Sequence, residues 1–292
     1  MWDGRETFAD ASSTDCLAGT MTCFASMHFD LSDQSNGATT GHAQGHALTN
    51  AQREEIVSFE TSLFTAQLEH KEAGRLTQHD GKGGPEILKD QEYYFGINDT
   101  VAGDYRTHVA FNPVAMTLYS AWSSSAGSGG NSHHPGRESI ARGEVLFNTK
   151  PIQIRNVKGL NDDLNKPVIA GTCTTCHNVP NSGNHSVPMP LDIGISDASR
   201  RTPDMPLYTL RHKITGETLK TTDPGRALIT GKWKDIGRFK GPILRSVASR
   251  PPYFHNGMAK NLEEVVDFYN TRFGVGLSVQ EKEDLIAFLG AL

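Results

Sequence analysis

The chain has 292 residues, of which 37 % are hydrophobic and 21 % charged, and its net charge is −5. This balance argues against a nucleic-acid partner. The sequence also contains no stretch of about 18 apolar residues, the length that a membrane-spanning helix requires. The length suffices for one large or two ordinary domains. The hydrophobic content is low for a compact enzyme, so we expect a bound apolar group to contribute to the core.

The N-terminal region predicts loop rather than regular structure. Met1-Trp2-Asp3-Gly4-Arg5 reads like the interior of a domain, without an export signal or a helix start. We therefore expect a fragment, or a segment that precedes this start. Residues 1–48 are rich in Asp, Ser, Thr, Gly and Asn, which favours loop. Cys16 and Cys23 are predicted to form a local disulfide, with two free thiols as the alternative.

The first clear helix follows this region and is predicted from Thr49 to about Leu68. Thr49 and Gln52 form a capping-box pattern, and apolar residues then recur at helical spacing. Residues 71–136 carry little pattern, and 123–136 are Ser/Gly/His-rich and predict a linker. We interpret His133 and His134 as exposed loop residues rather than metal ligands.

The remaining chain alternates short helices with irregular segments. Residues 157–169 are irregular, and 178–206 contain five prolines, which excludes long regular structure. Pro224 suits the first turn of a short helix, and Ser278 suits a helix cap. Helices are therefore predicted over residues 137–147, just after Thr222, over 262–270, and over 279–292.

Residues 171–177, Gly-Thr-Cys-Thr-Thr-Cys-His, contain the clearest chemical motif. Cys173-x-x-Cys176-His177 is the attachment sequence of a c-type haem, in which two thiols bind the porphyrin and the histidine binds iron. A bare C-x-x-C also suits a redox dithiol or half a zinc site. The adjacent histidine favours haem, and no βαβ pattern supports a thioredoxin-type dithiol.

The ligand on the opposite face of the iron decides the chemistry of such a haem. Methionine is the usual partner of a c-type haem, and Met258 follows a turn. Tyr269 lies on the same predicted helix face as Leu262, Val265 and Val266, so it points inward. A core tyrosine and an iron ligand both fit that position. The downstream candidates are Met189, Met205, His212, His255, Met258 and Tyr269.

The motifs, taken in order, resemble those of the bacterial diheme cytochrome c peroxidases, close to the MauG-like subgroup. The likeness covers most of the chain except about 71–136. The motifs that carry it are Trp2-Asp3-Gly4-Arg5, residues 34–44, Ile56-Val57-Ser58-Phe59-Glu60, Cys173 to His177, Pro252-Tyr253-Phe254-His255-Asn256-Gly257, Leu262-Glu263-Glu264-Val265-Val266, and Asp284-Leu285-Ile286-Ala287-Phe288-Leu289.

The resemblance implies a mainly α fold of cytochrome c-type haem domains with long irregular loops. Residues 1–72 would be the remnant of an N-terminal, peroxide-reacting domain, 73–136 a connecting region, and 137–292 the C-terminal domain with covalent haem. The second haem is expected upstream. The single C-x-x-C-H also leaves open a monohaem electron-transfer cytochrome, or a binding or structural haem protein.

The resemblance also implies a peroxide site beside the upstream haem. Trp2 would relay electrons between the haems, and Gln34 would lie over the peroxide-binding face. Gln44 replaces the family's glutamate and Ala38 its proline. Since an amide does not accept a proton as a carboxylate does, water or a histidine such as His42 would take over, or turnover would be weaker.

Two further site assignments follow from the family pattern. Tyr269 occupies the axial position that is methionine in the peroxidases and tyrosine in MauG-like enzymes. A phenolate ligand donates charge to iron and favours its higher oxidation states. The carbonyls of Arg250 and Pro252 match ligands of a calcium ion between the haems.

The expected activity is peroxide reduction with electrons passed through the C-terminal haem. The expected partners are hydrogen peroxide and a donor cytochrome or cupredoxin, or an oxidisable protein substrate. Covalent haem attachment implies a periplasmic or other extracytoplasmic location, and a homodimer is compatible with the family.

Overall fold

The computed structural model of the chain describes residues 27–123, 134–181, 183–187 and 189–292. Within them it is mainly helical, with three two-stranded antiparallel ribbons and long irregular segments, which confirms the mainly α part of the prediction. The helices are α1 (Met27–Gly37), α2 (Asn50–Ser62), α3 (Pro85–Leu88), α4 (Pro135–Thr149), α5 (Ala227–Thr230), α6 (Leu262–Phe273) and α7 (Val279–Leu289). The strands are β1 (Glu69–His70), β2 (Gly74–Arg75), β3 (Ile152–Ile154), β4 (Ile169–Gly171), β5 (Tyr208–Arg211) and β6 (Thr218–Thr221).

The loop prediction for residues 1–48 is wrong over residues 27–42, whereas residues 43–48 are irregular as predicted. Residues 27–37 form α1, and Ala38–His42 continue it as a π-helical turn. The segment has little apolar periodicity, so its support comes from tertiary contacts with α2. His28 lies 2.8 Å from Glu54, and the Asn36 side chain accepts from the backbone N–H of Leu48. The predicted Cys16–Cys23 disulfide and Trp2 lie outside the described residues.

Helix α2 begins as predicted but ends earlier. Thr49 and Gln52 form the capping box, with distances of 3.0 and 3.3 Å. The helix stops at Ser62 rather than Leu68, because Leu63 adopts an extended backbone. Phe64 then packs beneath the guanidinium of Arg245 at 4.2 Å. A distant contact thus overrides the helical periodicity.

Helices α4 and α7 cross closely and form the centre of the main core. Gly143 permits the approach, since a Cβ at this position would lie 2.0 Å from the carbonyl oxygen of Asp284. The buried Asp284 carboxylate accepts from Ser139 at 2.6 Å and from both guanidinium branches of Arg142 at 2.8 Å. Burial would raise the pKa of Asp284, but these hydrogen bonds outweigh it and hold the pKa low.

The weakly patterned region before α4 supplies a large part of this core. Tyr119 is fully buried and stacks on Trp122 at 4.6 Å. The buried side chains of Glu144 and Asn148 on α4 bind the backbone of residues 116–119. Burial raises the pKa of Glu144, against the N–H donors that lower it. Hydrogen bonds between side chains and backbone produce no periodic pattern of apolar residues, so the sequence did not predict that this region belongs to the core.

The C-terminal helices agree with the predictions to within a turn. Helix α4 begins at Pro135, inside the predicted linker, and His134 is its N-cap residue; His133 lies outside the described residues. The predicted helix at 262–270 extends to Phe273. Ser278 forms a full capping box with Glu281, and α7 ends at Leu289. Pro224 precedes α5 rather than opening it.

A second, smaller core lies on the β3–β4 ribbon, which the sequence did not predict. Ile152, Ile154 and Val157 are buried there with Leu160 and Leu191. Cys173 packs against this cluster and also against the main core around α4 and α7. Within the described part of the chain, no helix is long and apolar enough to cross a membrane.

Candidate haem-attachment site

The C-x-x-C-H motif forms a tight turn directly after β4. Cys173–Thr175 is a single 3-10 turn, and the N–H of His177 donates to the carbonyl of Cys173 at 3.1 Å. Gly171 is required before it, because a Cβ there would lie 2.2 Å from the Thr175 hydroxyl oxygen. That hydroxyl accepts from the N–H of Thr172 at 2.9 Å. Both thiols are thereby brought to one turn of backbone.

The outer side of this turn is clamped by the segment 98–113. Thr100 donates through its hydroxyl to the carbonyl of Thr175 at 2.8 Å. In the opposite direction, the Thr174 hydroxyl donates to the carbonyl of Pro113 at 2.7 Å. No sequence pattern beyond a polar loop predicts this clamp, since its bonds are made to backbone carbonyls.

Asn178 links the clamp to the residues that follow the motif. Its fully buried amide donates to the Asn98 carbonyl and to the hydroxyls of Thr100 and Ser186, at 3.0–3.1 Å. Its side-chain oxygen, Oδ1, accepts from the backbone N–H of Ser186 at 2.8 Å. A buried amide with every polar atom paired fixes its neighbours firmly, and the sequence analysis did not single it out.

His177 is oriented by a backbone carbonyl. Its Nδ1 lies 2.6 Å from the carbonyl oxygen of Gly183, so Nδ1–H donates and Nε2 keeps its lone pair. Burial lowers the pKa of His177 to about 4, so the ring is neutral at pH 7. A neutral imidazole with a fixed Nδ1 proton is the form that binds iron.

Burial raises the pKa values of both thiols and of the Tyr269 phenol. Burial raises the pKa of Cys173 and of Cys176 to about 12. Burial also raises the pKa of Tyr269 well above its ordinary value, and the neighbouring Cys176 and Cys173 raise it further. The structure thus brings Tyr269, ninety-six residues after Cys173, to the face of the motif.

Aromatic rings hold Tyr269 on the inner face of α6. The ring centroids of Phe268, Phe254 and Phe273 lie 5.2, 6.1 and 6.2 Å from that of Tyr269. Asn261 caps the helix through the N–H of Glu264 at 2.9 Å. The predicted inward orientation follows from the i, i+3, i+4, i+7 spacing.

The residues at this site fit a covalently bound haem. The cysteines, His177 and Tyr269 are each only partly covered by protein. Cys173 and Cys176 pack against the cluster that contains Ile152 and Ile154, as does Phe273, whose ring stacks on that of Tyr269 at 6.2 Å. Two thiols on one turn, a neutral imidazole and a phenol grouped in this way form a suitable donor set for a porphyrin iron.

The upstream candidates lie on a different part of the chain. Gln34 is half-buried on α1, and Gln44 is exposed just after the π-helical turn, with φ +52°. Ala38 begins that turn, and His42 ends it on the surface. The roles of Gln34 and Gln44 towards peroxide therefore stay predictions. The proposed relay residue Trp2 lies outside the described residues.

The candidate calcium carbonyls lie on one loop beside a cis Pro251–Pro252 bond. The Arg250 guanidinium donates to the carbonyls of Ile243, Arg245 and Ser246. Pro252 precedes Tyr253, which pairs with Ala259 in a short antiparallel bridge. Within the described ranges no group of three His, Cys, Asp or Glu side chains could hold a metal, so a calcium site here would rest on carbonyls.

His255 and Met258, two alternative axial ligands, face other surroundings. Nδ1 of His255 contacts the carboxylate of Asp223, and the His255 ring lies 4.9 Å from that of Phe239. Met258 lies in the turn after Asn256, whose side-chain oxygen accepts its N–H at 3.3 Å.

Comparison with known proteins identifies relatives over part of the chain. Cytochrome-c peroxidase IdrP1 from Pseudomonas sp. (strain SCT) is 34 % identical over 140 residues, covering 41 % of this chain and 36 % of the relative. Cytochrome-c peroxidase IdrP2 from Denitromonas iodatirespirans is 35 % identical over 135 residues. Cytochrome c551 peroxidase from Pseudomonas aeruginosa is 28 % identical over 144 residues, covering 49 % of this chain and 35 % of the relative. No family model matches the chain.

These relatives confirm the resemblance to the cytochrome-c peroxidases. The matched part spans about a third of the length of each relative, 36 % for the first two. A solved MauG-like protein associated with microbial copper homeostasis matches 53 % of this chain and 43 % of its own, at 23 % identity and a TM-score of 0.30.

Proposed function

We propose that the chain is a c-type haem oxidoreductase of the diheme peroxidase and MauG-like class, which reduces hydrogen peroxide with electrons passed through the haem on Cys173 and Cys176. The observation that supports this proposal is the single turn that carries both thiols and His177, whose Nδ1 lies 2.6 Å from the Gly183 carbonyl oxygen, with Tyr269 close enough to both thiols for their charges to raise its pKa. The curated relatives support the peroxidase chemistry.

Each residue has a defined task in this proposal. The thiols of Cys173 and Cys176 would hold the porphyrin through thioether bonds, and Nε2 of His177 would bind its iron. The hydrogen bond from Nδ1 to the Gly183 carbonyl would increase the donor strength of the imidazole. Tyr269 would supply a second iron ligand through its phenol oxygen. When bound, the haem supplies one-electron transfer between a donor and the peroxide site.

The peroxide site itself belongs to the upstream part of the proposal. There a second haem is expected, with Trp2 as the relay between the haems and Gln34 and Gln44 at the peroxide-binding face. The carbonyls of Arg250 and Pro252 are proposed to bind calcium between the two haems. Residues 1–72 would belong to that first domain, 73–136 would connect it, and 137–292 would form the C-terminal haem domain of a periplasmic enzyme.

The axial assignment is tested by Tyr269→Met in the haem-loaded protein. A phenolate lowers the reduction potential of iron and a thioether raises it, so we expect a higher potential and a new Met–iron charge-transfer band. Tyr253→Phe, at a half-buried tyrosine on the preceding loop, is the control and should leave the spectrum unchanged. An unaltered spectrum in Tyr269→Met would rule out ligation by Tyr269.

A monohaem electron-transfer cytochrome is the second candidate, since the chain contains a single C-x-x-C-H sequence. The two candidates differ in haem count and in turnover. A pyridine haemochrome assay on the natural protein should give two haems per chain for the first and one for the second. Peroxide-dependent oxidation of a small-molecule reductant is expected for the two-haem peroxidase and not for the monohaem cytochrome.

A further inference from the structure

An apolar face is exposed around the β5–β6 ribbon and α5. Ile214, at the tip of the ribbon, is 91 % exposed, and Leu228 on α5 is 71 % exposed. The ribbon pairs only its own two strands among the described residues. Large apolar side chains grouped in this way mark interaction surfaces. We name this surface the hairpin face; it comprises Leu207, Tyr208, Ile214, Leu219, Leu228 and Ile229.

A cavity of about 560 Å³ opens within the hairpin face. Tyr208, Leu210 and Leu228 line its apolar side, and the contacting side chains of Asp223 and His255 line its polar side. The residue before His255 is Phe254, whose ring lies 6.1 Å from that of Tyr269. The cavity is therefore connected along the chain to the candidate axial ligand through His255 and Phe254.

The charge around this face is opposite to that of the whole chain. The chain carries −5, whereas residues 202–234 expose five cations and two acids. The cations are Arg211, Lys213, Lys220, Lys232 and Lys234, and the acids are Asp204 and Glu217. A local excess of positive charge attracts an acidic partner and increases its association rate.

We propose that the hairpin face is the docking site of an acidic redox protein that exchanges electrons with the haem beside Tyr269. This inference rests on the proposed function and specifies its partner. An apolar centre with a charged rim and a small area suits the transient complexes of electron transfer, which bury less than about 1,200 Å². Each encounter oxidises the partner by one electron, and two encounters with two protons convert one hydrogen peroxide to two waters.

The experiment uses the haem-loaded protein and one cytochrome c in two charge forms. Native mitochondrial-type cytochrome c is basic, and succinylation of its lysines makes the same protein acidic. We measure binding of both forms at low ionic strength, and peroxide-dependent oxidation of each reduced form. The succinylated form should bind at least about tenfold more tightly, and this preference should fall as salt is added.

Substitutions assign the preference to the hairpin face. Lys213→Glu with Ile214→Ser should weaken binding of the acidic cytochrome and raise its KM by about fivefold or more. Turnover with a small-molecule reductant should not change, since neither residue contacts the haem site. Lys166→Glu with Val279→Ser makes the same exchange of charge and exposed apolar surface on another part of the chain and should leave binding unaltered.

The outcomes separate this inference from the proposed function. No peroxide turnover with the small-molecule reductant would contradict the proposed function. Normal turnover, with equal binding of both cytochrome forms or equal effects of the two double variants, would overturn the docking site alone. Light scattering that shows a dimer disrupted by Ile214→Ser would assign the face to a second copy of the chain and would also overturn it.

Discussion

Asn178 shows how much of the haem-attachment turn depends on single polar residues. It is fully buried and joins the motif to Asn98, Thr100 and Ser186. Periodicity could not identify it, because its partners are carbonyls and hydroxyls rather than apolar neighbours. The C-x-x-C-H spacing, by contrast, was sufficient to locate the turn and the thiols, and helical spacing was sufficient to orient Tyr269.

Replacement of Asn178 should therefore be costly. Asn178→Ala leaves the Ser186 N–H and the Asn98 carbonyl without their buried partner, and each unpaired group costs about 1–3 kcal/mol. We expect the free energy of unfolding to fall by roughly 2–4 kcal/mol, measured by denaturant titration. Asn50→Ala, at the exposed start of α2, is the control and should change stability by less than about 0.5 kcal/mol.

Among the helices and strands, those that begin with a capping box could be predicted from the sequence. Those that are stabilised mainly by contacts with distant parts of the chain could not. Thr49 and Ser278 identified their helices through capping boxes that the structure contains. Helix α1 and the β3–β4 and β5–β6 ribbons lacked such signals. The end of α2 was misplaced because Phe64 packs against Arg245 rather than continuing the helix.

The crossing of α4 and α7 depends on Gly143. Gly143→Ala places a Cβ 2.0 Å from the carbonyl oxygen of Asp284, so the helices must separate or shift. Overpacking of this kind costs about 1–3 kcal/mol or more, which a lower thermal unfolding midpoint would reveal. Gly37→Ala, where a Cβ meets nothing within 4 Å, should be neutral; equal effects of the two changes would contradict the close crossing.

The segment 98–113, which clamps the motif turn, should become less stable in acid. Asp104 is partly buried, which raises its pKa, but donors from Tyr94, Asn98 and Thr107 outweigh burial and lower the pKa to about 2. A lowered carboxyl pKa stabilises the fold above the unfolded value near 4, and this stabilisation is lost as the pH falls towards 2. Hydrogen exchange of residues 98–107 should report the loss, and Asp104→Asn should remove the dependence on pH.

For the whole molecule, the distribution of charge carries more information than its total. The net charge of the chain is −5, yet the residues around the hairpin face are mainly basic, because most acidic residues lie elsewhere in the sequence. If that face docks an acidic partner, added salt should slow oxidation of the partner and leave a neutral small-molecule reductant unaffected. Stopped-flow rates at increasing ionic strength test this, and equal slopes for both reductants would contradict it.

Cys173 belongs to both hydrophobic clusters, and this shared position constrains biogenesis. Once the clusters close, burial holds the thiol pKa values of Cys173 and Cys176 at about 12, so almost no reactive thiolate remains at neutral pH. Under the proposed haem attachment, we therefore expect the thioether bonds to form before the two clusters close around Cys173.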